Sequence, residues 1–254
     1  MINFYNHHND FILPLAAEKK QCGLSYSYYM KKWNCNFAVP FSSMHKYIRN
    51  DSFKMNKYAT PLKEHFNGFK NSFGELLPAF IIWDSNKEDY IEINIEKNDE
   101  KIKSSNEFGD NWNDDLEKDD KILVSNYFKK FEHIKNKFGF LSFKVGKTEL
   151  NIKFSNKKEG IIFESPRNSL ICSISNNIFD DMLIGNFMKT KLINVPSLYP
   201  DFTPYVTKYG DNGLSKSEKE LKEYFDYYKF NSLNFWTDYL KIKSEDIIRP
   251  KLES

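Results

Sequence analysis

Apolar residues in this chain gather in short runs, some alternating with period two and some spaced by three and four, with one long polar interval between them. Phe11–Leu15 and Phe37–Val39 read as short strands flanking a helical stretch, Ala16–Trp33, in which Tyr26, Tyr29 and Trp33 form an aromatic face. Thr60 suits an N-cap and Pro61 a first helical position, so a short helix is expected up to Gly68, with His65 at its surface. Leu76–Trp83 follows as a strand, and Tyr90–Ile95 alternates as a strand with one exposed face. Residues 98–120 are dense in Asp, Glu, Lys and Asn, with Ile102, Phe108, Trp112 and Leu116 as the apolar positions. This interval reads as a polar surface loop in which Asp110, Asp114 and Asp115 are solvated.

Residues 118–137 then spell an amphipathic helix, with Ile122, Leu123, Tyr127, Phe131 and Ile134 along one stripe. Phe140–Val145 and Glu149–Phe154 both alternate, and Gly146-Lys147 between them predicts a hairpin turn. Gly160–Glu164 and Ser169–Ile174 extend this to an antiparallel strand meander. A short helix is expected to end at Gly185, Tyr209–Gly213 to form a turn with glycines at positive φ, and Ser215 to open the last substantial helix. The pattern sums to an α/β to α+β protein. Its divisions fall at 1–83, a polar linker 84–120, an α+β unit 121–195 and a helical extension 196–254.

Composition narrows the class without naming a reaction. The 254 residues suffice for a sizeable core, and 37 basic against 35 acidic groups leave a net charge of +2. That balance gives no reason to expect nucleic acid or a membrane surface as a partner, and no apolar run approaches spanning length. Aromatic residues reach 17%, a level that an A/T-rich coding bias would produce without functional cause. Three cysteines, Cys22, Cys35 and Cys172, lack any CxxC spacing. With no charged leader before an apolar run at the start, they point to a reducing, cytoplasmic setting.

Candidate chemistry concentrates where the apolar run Phe37-Ala38-Val39 stops at Pro40 and opens into Ser42, Ser43, His45, Arg49 and Asp51. A buried strand delivering a polar loop at its end is a usual place for a site on an α/β scaffold. His45 is either a loop-capping structural histidine or a metal ligand or general base. Ser42 and Ser43 are placed to orient it. Arg49 with Asp51 is either a local ion pair or an anion-binding arginine held by its carboxylate. His7 and His8 beside Asp10 read as a polar turn, since adjacent side chains point in different directions.

The run Val39 to Ser52, followed by Asn56 to Leu62, resembles the later part of large metallo-β-lactamase-fold proteins of the L-ascorbate-6-phosphate lactonase and CMP-N-acetylneuraminate hydroxylase groups. Phe179 to Thr190, and Leu198-Tyr199-Pro200-Asp201-Phe202 through Asn212-Gly213, are similar to the C-terminal extension of those proteins. The resemblance implies the tail of an αββα sandwich, a zinc or iron site completed by His45, and a small anionic substrate such as a sugar phosphate or nucleotide sugar, contacted by Arg49. The family's His-x-His-x-Asp-His run is absent from this sequence. On that resemblance the site is incomplete, the chain is expected to be inactive alone, and the other ligands are expected on an N-terminal metal-binding partner chain. The alternative is a non-catalytic ligand-binding or assembly module in which His45 is structural.

Overall fold

A computed structural model gives the fold and describes residues 3–13, 22–41, 46–70, 72, 74–94, 101–231, 234, 236, 237 and 240. In chain order the elements are β1 (Phe4–Tyr5), α1 (Cys22–Trp33), β2 (Phe37–Ala38), β3 (Glu75–Leu76), β4 (Ile81–Asp84) and β5 (Asp89–Glu92). They continue as α2 (Lys118–Lys129), α3 (Glu132–Lys137), β6 (Phe140–Val145), β7 (Thr148–Lys153), β8 (Gly160–Glu164), α4 (Arg167–Ser175), α5 (Phe179–Ile184), β9 (Lys189–Ile193) and α6 (Glu218–Asn231). A nine-residue π-helical stretch, Pro204–Asn212, lies between β9 and α6.

The main sheet has five strands in the order β1-β9-β8-β6-β7 and is mixed. The expected hairpin forms, β6 antiparallel to β7, with Gly146 at φ +58° in its turn. The meander does not continue beyond it, because β8 pairs parallel to β6 on the opposite side. Ser169–Ile174 is not a strand but the body of α4, and the strand that completes the sheet, β9, runs antiparallel to β8. A six-residue apolar run fits either period, and here the burial of Leu170, Ser173 and Ile174 follows the helical one. The amino-terminal β1 closes the other edge, parallel to β9, with the Asn3 amide donating to the Asn186 and Met188 carbonyls at 3.2 and 3.1 Å.

One sheet face, carrying Leu141, Phe143, Ile152, Ile161, Phe163 and Leu192, packs under α2, α4, α5 and the π-helical stretch. The aromatic content is concentrated here. Phe128, Phe131, Phe138, Phe143, Phe163, Phe179 and Phe202 are wholly buried, and Phe128 stacks on Phe143 with ring centroids 4.9 Å apart. Contacts of this kind add specific ring geometry to the area they bury. The 118–137 helix is two helices, α2 and α3, interrupted at Lys130-Phe131. Its buried stripe is Val124, Tyr127, Phe128, Phe131 and Ile134, whereas Ile122 and Leu123 face outward.

The amino-terminal third builds two small two-stranded sheets, β2 parallel to β3 and β4 antiparallel to β5. The aromatic face expected of α1 is turned around: Tyr29 and Trp33 are exposed, and Gly23, Ser27 and Met30 are buried. Gly23 explains the inversion, because a Cβ there would lie 2.3 Å from the Phe69 backbone nitrogen. That close approach presses the Leu62–Phe66 3-10 helix onto α1 and buries His65, 4% exposed, against the surface expectation. No helix among the described residues is long and apolar enough to cross a membrane.

Candidate functional site

Of the predicted loop residues, Ser42, Ser43 and His45 lie outside the described residues. Arg49 and Asp51 are described. The chain reaches them through a reciprocal amide clasp: the Tyr47 N–H donates to Asn56 Oδ1 at 2.7 Å, and Asn56 Nδ2 donates to the Tyr47 carbonyl at 2.8 Å. Lys103 then hydrogen-bonds to the Ile48 carbonyl, and its own carbonyl accepts from Asn50, so residues 48–50 run alongside 101–103 as a parallel bridge.

This places the Arg49 guanidinium between two carboxylates. Nε and Nη2 donate to Asp51 at 3.1 and 2.7 Å, and Nη1 donates to Asp110 Oδ2 at 2.8 Å. Its flat face lies 4.0 Å from the Phe187 ring centroid, with the Phe108 ring 5.4 Å away. Trp112 Nε1 adds a donor to Asp51 at 2.9 Å. Burial acts to lower the Arg49 pKa and to raise that of Asp51, but their mutual hydrogen bonds outweigh it. Arg49 is raised and Asp51 lowered, so both stay charged. The arrangement is a fork-to-carboxylate ion pair stacked on rings, geometry for which arginine is suited and lysine is not.

Asp110 is fully buried rather than solvated, and its role links the network to α4. Pro166, the N-cap residue of α4, gives no side-chain cap. Asp110 supplies one from 59 residues upstream: it accepts from the Ser169 backbone N–H at 2.9 Å and from the Ser169 hydroxyl at 2.5 Å. A carboxylate there satisfies an orphan donor and sits at the positive end of the helix. Asp115 does similar work, remaining exposed while accepting the Lys147 and Thr148 N–H groups of the hairpin turn. Asp120 caps α2 through the Glu117 N–H and accepts from Arg167 Nε at 2.6 Å.

A second polar cluster was not flagged by sequence. Tyr127 on α2 donates a short hydrogen bond to Asp211 on the π-helical stretch, and both are buried. Lys130 Nζ stands 3.9 Å from Asp211 Oδ1 and 3.9 Å from the Tyr127 ring centroid, and donates to Asn177 Oδ1 at 2.9 Å. Asp211 Oδ1 has no hydrogen-bond partner within normal geometry among the described residues. Burial raises the Asp211 carboxyl despite the Tyr127 hydroxyl and Lys130, raises Tyr127 far above its usual range, and lowers Lys130. One turn on, the His133 ring stacks on Tyr205 at 3.4 Å, and burial lowers its pKa. The cluster therefore holds proton-bearing groups in a partly buried setting, beside a helix type that often occurs at functional sites.

The chain matches no protein-family model, no curated protein and no solved structure. Among the described residues no group of three or more His, Cys, Asp or Glu side chains is placed to hold a metal ion. His7 and His8 are both exposed, and His65 bonds through Nδ1 to the Tyr26 hydroxyl at 2.9 Å, leaving Nε2 without a partner.

Sequence reasoning brought Arg49 and Asp51 together and missed Asp110, Trp112 and Ser169. A tryptophan inside a charged interval was the one available signal, since such a ring needs a surface to pack on and its N–H an acceptor. Nothing local marks Tyr127 with Asp211, which are 84 residues apart.

Proposed function

We propose that this chain is a non-catalytic assembly module that pairs with a second copy of itself through the aromatic surface of α6. The observation that carries the reading is the way α6 leaves the body of the protein. It is anchored at its start by Leu221 and by Tyr224, whose ring lies 5.3 Å from Tyr209, and then runs outward. Beyond the anchor, Tyr227, Tyr228 and Phe230 are exposed, with Tyr227 at 64% and Phe230 at 89%. Aromatic surface collected on one helix marks interaction sites, where such side chains dominate binding energy.

A second copy is the occupant that the charges favour. The helix carries Glu218, Glu220, Glu223 and Asp226 with Lys219, Lys222 and Lys229, so two antiparallel copies meet with signs mixed rather than opposed. The cluster around Arg49 supports this reading too. All three kinds of Arg49 nitrogen donate to Asp51 and Asp110, which makes the arginine a clamp within the fold. Cys35 and Cys172 are free thiols, in keeping with a reducing compartment such as the cytoplasm.

Sedimentation equilibrium tests the proposal. The wild-type chain is expected to show a two-chain mass, and Tyr227→Ser with Phe230→Ser a one-chain mass at unchanged secondary structure. A one-chain wild type at micromolar concentration overturns it. The competing reading is the back portion of a metallo-β-lactamase-fold enzyme acting on an anionic small molecule. One equivalent of zinc or iron, lost in His45→Ala, would replace the assembly module with that reading.

A further inference from the structure

On the face of the main sheet turned away from α2 and α4, the β7 edge carries a cavity of about 260 Å³. Its lining includes Phe140, Asn151, Lys153, Ser155, Asn156 and Lys157, and no carboxylate belongs to it. Three features of the fold build it. The β6–β7 register sets Phe140 opposite Lys153 and Ser142 opposite Asn151, which puts ring, amine and amide on one face. Gly160, beside Phe140 on β8, has no side chain, and a Cβ there would lie 2.3 Å from Phe140 Cε1, so the ring lies across the glycine. The turn after β7 is tied back by the Phe154 and Ser155 N–H groups, which both donate to the Gly139 carbonyl at 2.8 and 3.1 Å. It carries Ser155, Asn156 and Lys157 up along the cavity wall.

The two described arginines are held in ion pairs, whereas most described lysines are not. Arg49 and Arg167 each meet two carboxylates, and Lys137 meets Asp201 at 3.0 Å. Lys153 has no ion-pair partner among the described residues, and Lys157 Nζ donates to a neutral backbone carbonyl, that of Asn136. The cavity is thus lined by two lysines without an ion-pair partner among the described residues, by two residues with side-chain amides, by a serine and by an aromatic residue. We propose that it binds a small phosphorylated molecule. The ammonium and amide donors take the phosphate oxygens through charge-assisted hydrogen bonds, and a planar ring of the ligand lies on Phe140. No covalent step is involved, and the inference stands apart from the pairing of α6.

Backbone amide NMR on the full chain, titrated with inorganic phosphate and with a nucleoside monophosphate, tests it. Saturable shifts are expected in the amides of Ser155, Asn156 and Lys157 and across Phe140 and Lys153, with the nucleotide binding more tightly. Lys153→Gln with Lys157→Gln should weaken both ligands about tenfold or more, as loss of charged partners does. Phe140→Leu should remove the nucleotide's advantage and leave phosphate binding unchanged, a readout that a folding defect would not give. Shifts scattered over many lysines, or phosphate binding equal in the double variant and the wild type, would overturn the assignment.

Discussion

Asp51, half-buried, and Asp211, buried, are carboxylates that each accept a hydrogen bond from an aromatic residue, yet their acidities move in opposite directions. Burial raises both. At Asp51 a bidentate guanidinium outweighs burial, while at Asp211 a phenol and an ammonium 3.9 Å away do not. The geometry of the counter-charge separates the two regions, and the deeper burial of Asp211 works in the same direction. The Arg49 cluster therefore acts as a clamp that depends on its charge, and the Tyr127–Asp211 pair as a tie that would hold better uncharged.

The largest effect should come from removing the clamp's cation. Arg49→Leu leaves Asp110 buried without a counter-charge and should cost about 3 kcal/mol, read as a fall in the urea midpoint. A loss below about 1 kcal/mol would show that the carboxylates do not depend on it. Arg49→Lys should recover only part, because an ammonium cannot serve Asp51 bidentately.

Acid should separate the regions next. Asp51 and Asp120 have lowered folded pKa values, so the stability they contribute is present above the unfolded value of about 3.9 and is lost as pH falls through the folded values. Asp211 has the opposite sign: its raised folded pKa favours the fold at low pH, and that contribution disappears as pH rises through it. Denaturation midpoints between pH 7 and pH 3 should therefore fall less steeply in Asp51→Asn and more steeply in Asp211→Asn than in the wild type. Identical slopes in the two variants would erase the distinction.

At neutral pH, Asp211→Asn keeps an acceptor for the Tyr127 hydroxyl and removes a charge that burial disfavours. It should leave stability unchanged or raise it by about 1 kcal/mol, measured calorimetrically. A loss of several kcal/mol would mean that the attraction of Lys130 outweighs burial after all. Tyr127→Phe, the smallest change, should cost about 1 kcal/mol, because it strips Asp211 Oδ2 of its donor.

Much of the fold could be read in the sequence where one period ran long enough or a turn residue fixed the geometry. The β6–β7 hairpin, β8 and α5 are of this kind, with Gly146 in its expected positive-φ turn. The failures have tertiary causes. The helix α4 receives its cap from Asp110, a residue that looked solvated because its neighbours are charged. His65 is buried because of a glycine on another helix, and Gly210 serves close approach rather than a turn, since a Cβ there would meet the Phe131 ring at 2.3 Å. In the candidate site, Arg49 with Asp51 was legible as a local pair, but the third member, Asp110, is 61 residues away.

The pairing of β1 with β9 also sets an order of events during synthesis. Strand β1 is made well before its sheet neighbour, and both its register contacts, Phe4 with Thr190 and Tyr5 with Lys191, wait until residues 190 and 191 have been made. Until then the nascent edge of the sheet has nothing to close it, so a stall in translation before that point would leave an intermediate exposed to chaperones and to wrong strand partners.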